Sequence, residues 1–452
     1  MTTRRPVAAI VLAAGKGTRM KSDLHKVLHP IAGRPMIEHL LASVEAIGAE
    51  RIVLVVGDRR EQLEAALAGR GIDFAVQEPQ LGTAHAVMQA EGALAGFEGD
   101  VLILSGDVPF VAPATMRRML DALHSDPAPA VVGLGFRPED PAAYGRVIEG
   151  PDGRVARIVE YKDATEAERA CGLCNANIFA VAARDLWPLL RRVGNDNAQS
   201  EYYLPDIVTL AVGDGRDSLF IEGEAAEAVG PNSRGEFALA EAHWQDARRR
   251  RAMAEGATLI APETVWFAWD TEIGRDVLVE PNVFFGPGVR IADNVRIRAF
   301  SHIEGASIGA GAEIGPYARL RPGTEIGAKA KVGNFVETKK AKLGEGAKAN
   351  HLTYLGDAEI GAGANVGAGT ITCNYDGFFK YGTRIGEGAF IGSNSALVAP
   401  VTIGAGAIVG AGSVITSDVE ADALATARGD QQARPGWAAR FRAAKLAKKA
   451  GR

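Results

Sequence analysis

The chain has 452 residues, 47% apolar and 23% charged, with a formal net charge of −5; that length suits two to four domains of ordinary soluble composition. The mild charge gives no whole-protein case for nucleic-acid binding. An odd cysteine count of 3 argues against a disulfide framework and fits a reducing compartment, and no run nears the ~18 apolar residues of a membrane span. The 54 glycines exceed the ordinary share of about 7%, and half of them fall between residues 271 and 430, so two architectures are joined here. They do not recur every third residue, which excludes collagen.

Arg4 and Arg5 before the apolar run 7–14 imitate a secretion signal, but β-branched Val7, Ile10 and Val11 and the glycine turn that follows favour a buried first strand. The stretch Leu12-Ala13-Ala14-Gly15-Lys16-Gly17-Thr18-Arg19-Met20 leaves that strand through two glycines, which let backbone N–H groups approach a phosphate. Arg19 and Lys26 add fixed positive charge. Met20 stands where a dinucleotide fingerprint needs a third glycine, and no P-loop spacing follows. A plain structural turn is the bland alternative. Pro35 at the first helical position precedes helical spacing at Met36, Ile37, Leu40, Leu41, Val44 and Ile47. Strands are expected at Arg51–Val56 and at 101–104, the latter ending in Ser105-Gly106-Asp107-Val108-Pro109. Repeated β–α units predict a parallel sheet with helices on both faces and ligands at the strands' carboxyl ends. Two glycine loops and Asp107 on that rim suggest a nucleotide and a metal. Cys171 and Cys174 have metal spacing, but only Cys373 is left over, so plain structural cysteines are expected.

From 231 to 255 the pattern reads as one helix, with Phe237, Leu239, Ala240, Ala242 and Trp244 leading into four arginines at 248–251. Four successive arginines point four ways on a helix, so a solvated or partner-facing helix end is expected. Beyond it a period of six appears. Its registers run Ile273, Val279, Phe285, Ile291, Ile297, Ile303, then Ile308 to Thr338, Leu343 to Leu355, Ile360 to Thr372, and Ile385 to Ile415. A step of 13 after Thr372 marks an inserted loop. Period six suits a solenoid of short flat sides, one residue inward per side. Counted from Ile273 with three sides per coil, it predicts about eight coils and ~38 Å of rod. Residues 334–340, 350–357 and the loop 373–377 depart from the repeat. His351 there sits among basic, acidic and aromatic residues that a rod does not need, although a lone histidine on a solenoid is more often structural. The tail carries Arg434, Arg440, Arg442, Lys445, Lys448, Lys449 and Arg452, read as a solvated helix end.

LAAGKGTRM, SDLHKVL, QLGTAHA at 80–86, SGDVP, Tyr144-Gly145-Arg146, Val159-Glu160-Tyr161-Lys162-Asp163-Ala164, Glu201-Tyr202-Tyr203 and Gly230-Pro231-Asn232 together resemble sugar-phosphate nucleotidyltransferases. The rod resembles the left-handed β-helix of hexapeptide acyltransferases. With Ala318-Arg319-Leu320-Arg321-Pro322-Gly323 and the departures around His351, nearly the whole chain is similar to the bacterial bifunctional N-acetylglucosamine-1-phosphate uridylyltransferase / glucosamine-1-phosphate N-acetyltransferase family. The resemblance implies an α/β chain: a Rossmann-like nucleotidyltransferase domain at 1–230, a helical linker at 231–255, a left-handed parallel β-helix acetyltransferase domain at 256–430 and a basic tail at 431–452.

It also implies two reactions that yield UDP-N-acetylglucosamine for peptidoglycan and lipopolysaccharide precursors. In the first, acetyl-CoA acetylates glucosamine-1-phosphate; His351 would be the base, oriented by Glu337, because an ammonium cannot attack a thioester. Arg321 and Lys339 would hold the sugar phosphate, and Tyr354 and Asn365 the sugar. Ala368, Asn374, Tyr375, Ser393, Ala411 and Arg428 would contact acetyl-CoA. In the second, UTP uridylylates the product with release of pyrophosphate, which needs positioning and cations rather than covalent help. Leu12, Ala13, Ala14 and Gly15 would hold the nucleotide beside Ser105 and Gly106. Arg19 and Lys26 would neutralise phosphates, and Gln77, Gly82 and Thr83 would read the uracil. Asp107 and Asn232 would hold Mg²⁺, and Gly145, Glu160 and Asn175 would line the sugar pocket. A homotrimer in the cytoplasm is implied, with no nucleic acid or membrane partner. Two departures stand out: His25 where the family often has proline, and Asn175-Ala176-Asn177 where Asn-Thr-Gly is commoner. Rival readings keep only nucleotidyl transfer with the rod as scaffold, or make the rod a sensing or assembly module.

Overall fold

A computed structural model describes residues 5–141, 143–150, 153–228 and 230–450. Arg4 of the signal-like run and Arg452 of the tail lie outside them. The chain divides into two compact units, 1–246 and 247–452, and the division falls inside the helix Arg234–Ala254.

The first unit is built on β1 (Val7–Ala13), α1 (Met36–Ala46), β2 (Arg51–Val56), β3 (Asp73–Val76), β4 (Asp100–Ser105), β5 (Val131–Phe136), β6 (Cys174–Ala182) and β7 (Ser218–Glu222). The signal-like run is thus the strand that the glycine turn favoured. The sheet order is β7-β5-β6-β4-β1-β2-β3. Alternate residues of β1 feed two cores: Ala9, Val11 and Ala13 join α1 on one face, Ala8 and Ile10 join the helices Thr83–Met88 and Ala183–Leu190 on the other. The expectation of an all-parallel sheet is corrected, because β6 runs antiparallel to both β4 and β5. The hairpin Arg146–Glu149 with Val155–Val159 reverses the chain before β6, so β6 enters from the opposite end. Pro35 takes the capping place just before the helix rather than its first position.

The second unit is a three-sided parallel rod. One side is a ten-stranded sheet running from Thr258–Leu259 to Leu424–Ala425. The other two sides join into one sheet, because Glu337–Leu343 and Tyr354–Ile360 run round the corner between them without a break. The period-six positions are buried throughout, Ile273 only partly. The rod begins earlier than Ile273: Leu259 and Phe267 already point inward, and the nine steps between its ten rungs span about 43 Å at ~4.8 Å each. Phe267 stands six residues before Ile273 and keeps the period, whereas the 3₁₀ turn Pro262–Thr264 sets Leu259 eight residues before Phe267, outside the spacing.

The arginine run is also corrected. Each coil's carbonyls accept N–H groups from the preceding coil, as Val283 O does from Trp266 and Val289 O from Glu272. The first coil has no predecessor, so its equivalent carbonyls, Val265 and Thr271, lack backbone donors. Arg249, buried, donates Nε to Val265 O at 2.9 Å, and Arg248 donates Nη2 to Thr271 O at 2.8 Å. Two of the four arginines therefore cap the rod instead of facing water. Arg251 pairs with Glu255 at 2.8 Å. The tail helix Trp437–Ala450 is exposed along its length.

Candidate active sites

The carboxyl ends of β1 and β4 open onto a cavity of about 630 Å³. Its lining takes in Leu12, Ala13, Ala14, Gly15, Arg19, Lys26, Gln77, Gly82, Thr83, Ser105, Asp107 and Asn232. Gly106 lies behind it and donates its N–H to Leu12 O at 2.8 Å, which locks the two strand ends together. Gly82 (φ 112°) could not carry a Cβ, which would fall 2.6 Å from Tyr202 O. That close approach brings Glu201 to the cavity: Tyr202 donates to Leu81 O and receives Ala84 N–H. Thr83 Oγ1 accepts Leu204 N–H at 2.9 Å, and the buried Gln77 amide donates to Gly82 O at 2.9 Å. Gln80, not singled out from sequence although it opens QLGTAHA, donates to Ala14 O and staples the loop. His25 keeps the turn that carries Lys26: its Nδ1 accepts Val27 N–H, its own N–H donates to Gln62 Oε1 at 2.7 Å, and burial holds its ring below the ordinary imidazole value.

Lys26 Nζ stands 2.5 Å from Asp107 Oδ2 and 2.8 Å from Asn232 Oδ1. Two oxygens from distant segments thus converge on one cation. A carboxylate and an amide oxygen, without histidine or cysteine, fit Mg²⁺, which takes few protein oxygens and completes its shell from water and phosphate. Among the described residues no group of three or more His, Cys, Asp or Glu could cage a metal unaided. The three cysteines are free.

Gly145, Glu160 and Asn175 stand together next to this cavity without lining it. Asn175 N–H donates to Gly145 O at 2.9 Å, and a Cβ on Gly145 would lie 3.2 Å from Glu160 Oε1. Burial pushes the Glu160 carboxyl above its ordinary value, with Asp163, Asp206 and Glu201 adding to the effect. Asn177, beyond them in the strand, does line the cavity.

On the rod, one corner aligns residues far apart in sequence. Leu352 N–H donates to Asn334 O, Gly369 N–H to His351 O, Asn394 N–H to Ala368 O and Gly412 N–H to Ser393 O, while Arg428 reaches Ala411 O. His351, Ala368, Ser393, Ala411 and Arg428 therefore climb a single column. His351 Nδ1 meets Asn334 Oδ1 at 2.5 Å, the two being register partners on adjacent coils. The expectation that Glu337 orients His351 is corrected: Glu337 lies on the next side of the rod and accepts from Arg321 Nη1 at 2.8 Å.

The second side and its far corner hold the remaining acetyltransferase candidates except Asn365. Tyr354 is in register with Glu337, and Lys339 with Gly356. Asn374 is buried, and its Nδ2 donates to Asp357 Oδ2 at 2.5 Å. Tyr375 lies exposed on the protruding loop, its hydroxyl on Gly377 O. Lys380 of the same loop approaches Lys339 and pushes it below its ordinary value, with Arg321 adding to the effect. Nothing in the repeat pattern marks Lys380, because loop closure alone brings it there. Asn365 belongs to the ten-stranded side, so one chain does not bring it onto the same side as Tyr354.

A family model for the MobA-like NTP transferase domain matches residues 9–197, and one for bacterial transferase hexapeptide repeats matches 270–305 and 382–417. The rod is accordingly a left-handed parallel β-helix. A protein named bifunctional protein GlmU from Sphingopyxis alaskensis is 67% identical across 98% of both chains. The protein of that name from Rhizorhabdus wittichii is 66% identical across 100% of both, and that from Zymomonas mobilis is 56% identical across 99% of this chain and 100% of its own. With these identities over its full length, and both half-domains matched, the chain belongs to the bifunctional GlmU family.

Proposed function

We infer that the chain makes UDP-N-acetylglucosamine in two steps, acetylating glucosamine-1-phosphate from acetyl-CoA in the rod and uridylylating the product from UTP in the first unit. The observation that carries this reading is the presence of two chemically different constellations in separate units: oxygens converging on a cation at Lys26, and a tethered imidazole at His351.

For acetyl transfer, Asn334 accepts the Nδ1 proton of His351 and leaves Nε2 as the basic nitrogen. Nε2 takes a proton from the substrate's amine as the nitrogen attacks the thioester carbonyl. The C–N bond forms, the C–S bond breaks, and CoA leaves with a proton returned from the imidazole. Arg321 and Lys339, with Lys380 added, hold the sugar phosphate; Tyr354 and Asn365 hold the sugar. The column of Ala368, Ser393, Ala411 and Arg428, with Asn374 and Tyr375, holds CoA.

For uridylyl transfer, a sugar-phosphate oxygen attacks the α-phosphorus in line and pyrophosphate leaves. Residues 12–15 hold the nucleotide, Gln77, Gly82 and Thr83 the base, and Arg19 and Lys26 the phosphates. Asp107 and Asn232 would hold Mg²⁺, which when bound shields the phosphate charge. Gly145, Glu160 and Asn175 position the sugar.

The working form is a homotrimer in the cytoplasm. Supporting it, the ten-stranded side exposes Phe390 and Ile408, and the second side Phe284, Ile371 and Val414. The third side carries the ion pairs Arg290–Glu272, Lys342–Glu325 and Arg384–Glu359, although the other two sides also hold some, among them Lys331–Glu313 and Arg319–Glu337. Two apolar sides facing other copies would bring one copy's Asn365 toward another's Tyr354.

The test supplies glucosamine-1-phosphate, acetyl-CoA, UTP and Mg²⁺, and follows free CoA and pyrophosphate separately. His351→Ala should abolish CoA release and spare pyrophosphate release from N-acetylglucosamine-1-phosphate. Asp107→Ala, or chelation of Mg²⁺, should do the reverse. Loss of both activities in either variant would refute the division of labour.

A further inference from the structure

We propose that Asn177 reads the sugar in uridylyl transfer, its side-chain oxygen accepting a hydrogen bond from a hydroxyl of the incoming hexose phosphate. This rests on the nucleotidyl-transfer reading of the first unit and adds a residue to it.

Asn177 sits where the pairing of β6 with β5 breaks, between Asn175 and Phe179. Its backbone is left-handed, with φ 61°, and the bend is held by its own N–H donating to Asn175 Oδ1 at 3.1 Å. The break places Asn177 on the cavity that also takes in Lys26, Asp107, Asn232 and Glu201. Its Oδ1 is shut off from solvent and meets no donor. An amide oxygen buried this way is unfavourable until a donor arrives.

The donor's chemistry follows from the neighbours. A phosphate offers only acceptors and cannot satisfy the oxygen. The uracil candidates Gln77, Gly82 and Thr83 come from other segments, whereas Asn177 continues the strand that carries Asn175. Asn175 is tied to Gly145, and Gly145 abuts the Glu160 carboxylate. Amides and a carboxyl gathered in this way suit a polyhydroxylic ring. Glycine would take the left-handed bend at least as readily as asparagine, so the backbone alone gives no reason for the amide.

The test is steady-state pyrophosphate release with UTP, Mg²⁺ and N-acetylglucosamine-1-phosphate, on the full chain and on Asn177→Gly, which keeps the bend. KM for the sugar phosphate should rise about tenfold, with kcat and KM for UTP changed less than about twofold. The thermal upshift given by saturating N-acetylglucosamine-1-phosphate should shrink in the variant, and that given by UTP should remain. Independently of any variant's folding, one of the 3-, 4- and 6-deoxy analogues should lose about tenfold in kcat/KM on the unaltered enzyme. Unchanged KM in Asn177→Gly, or parallel loss for both substrates, overturns the assignment, as does full activity with all three analogues. Absence of pyrophosphate release from the unaltered chain would instead overturn the nucleotidyl-transfer reading beneath it.

Discussion

His351 takes its orientation from an amide one coil away, not from an acid. Asn334→Ala should therefore slow CoA release about tenfold, part of what a positioned base supplies, and leave pyrophosphate release unchanged. A loss in both assays would make the residue structural. Glu160 presents a different electrostatic problem. Its carboxyl is raised from its ordinary 4.5 by burial and by Asp163, Asp206 and Glu201. A group raised in the folded state contributes stability that is complete below its unfolded value and is lost as pH climbs through the folded one. Glu160→Gln should thus melt higher than the unaltered chain at pH 8, and the gain should fade towards pH 4. A gain independent of pH would contradict the burial argument. At this scale motif residues such as Lys26 and Asp107 were legible, because glycine turns and strand ends advertise themselves. Lys380 was not, since a closing loop brings it to its site, and Asn177 was legible only as a departure from the commoner motif, its place on the cavity being set by a register break.

Among elements, the rod departs from its own pattern where its candidate chemistry stands. Glu337–Leu343 and Tyr354–Ile360 cross a corner without turning, which leaves Gly356 N–H to be taken by Thr372 Oγ1 at 2.8 Å. This gives a physical reason for threonine at that inward position. A Cβ on Gly356 would stand 2.4 Å from Tyr354 Oη and 2.7 Å from Asn374 Nδ2. Gly356→Ala should displace both side chains and lower CoA release tenfold or more, with little change in pyrophosphate release and a circular-dichroism spectrum like the parent's; unchanged acetyl transfer would remove Tyr354 and Asn374 from the site. The period of six could be read directly, since one inward residue per side is a strict pattern. Leu259 at the start of the rod could not, because the turn at Pro262–Thr264 sets it eight residues before Phe267, the first residue to keep the spacing. Nor could the capping arginines, whose partners are carbonyls orphaned only at the end of a stack.

For the whole molecule, the solution mass should be about three times the 47.5 kDa of one chain. Light scattering on enzyme fully active in acetyl transfer checks this, and a single-chain mass would mean that one rod suffices. The uneven glycine content and the two sets of motifs already determined that two architectures and two chemistries share the chain, because local backbone demands and repeat periods are written residue by residue. Tertiary structure decided which groups meet. It reversed β6 within the sheet, gave His351 to Asn334 rather than Glu337, seated Arg248 and Arg249 on the rod's first coil, and left Asn365 and Tyr354 on different sides. Such pairings depend on register between segments far apart in sequence, and register is set by packing and hydrogen bonding across the fold rather than by any local pattern.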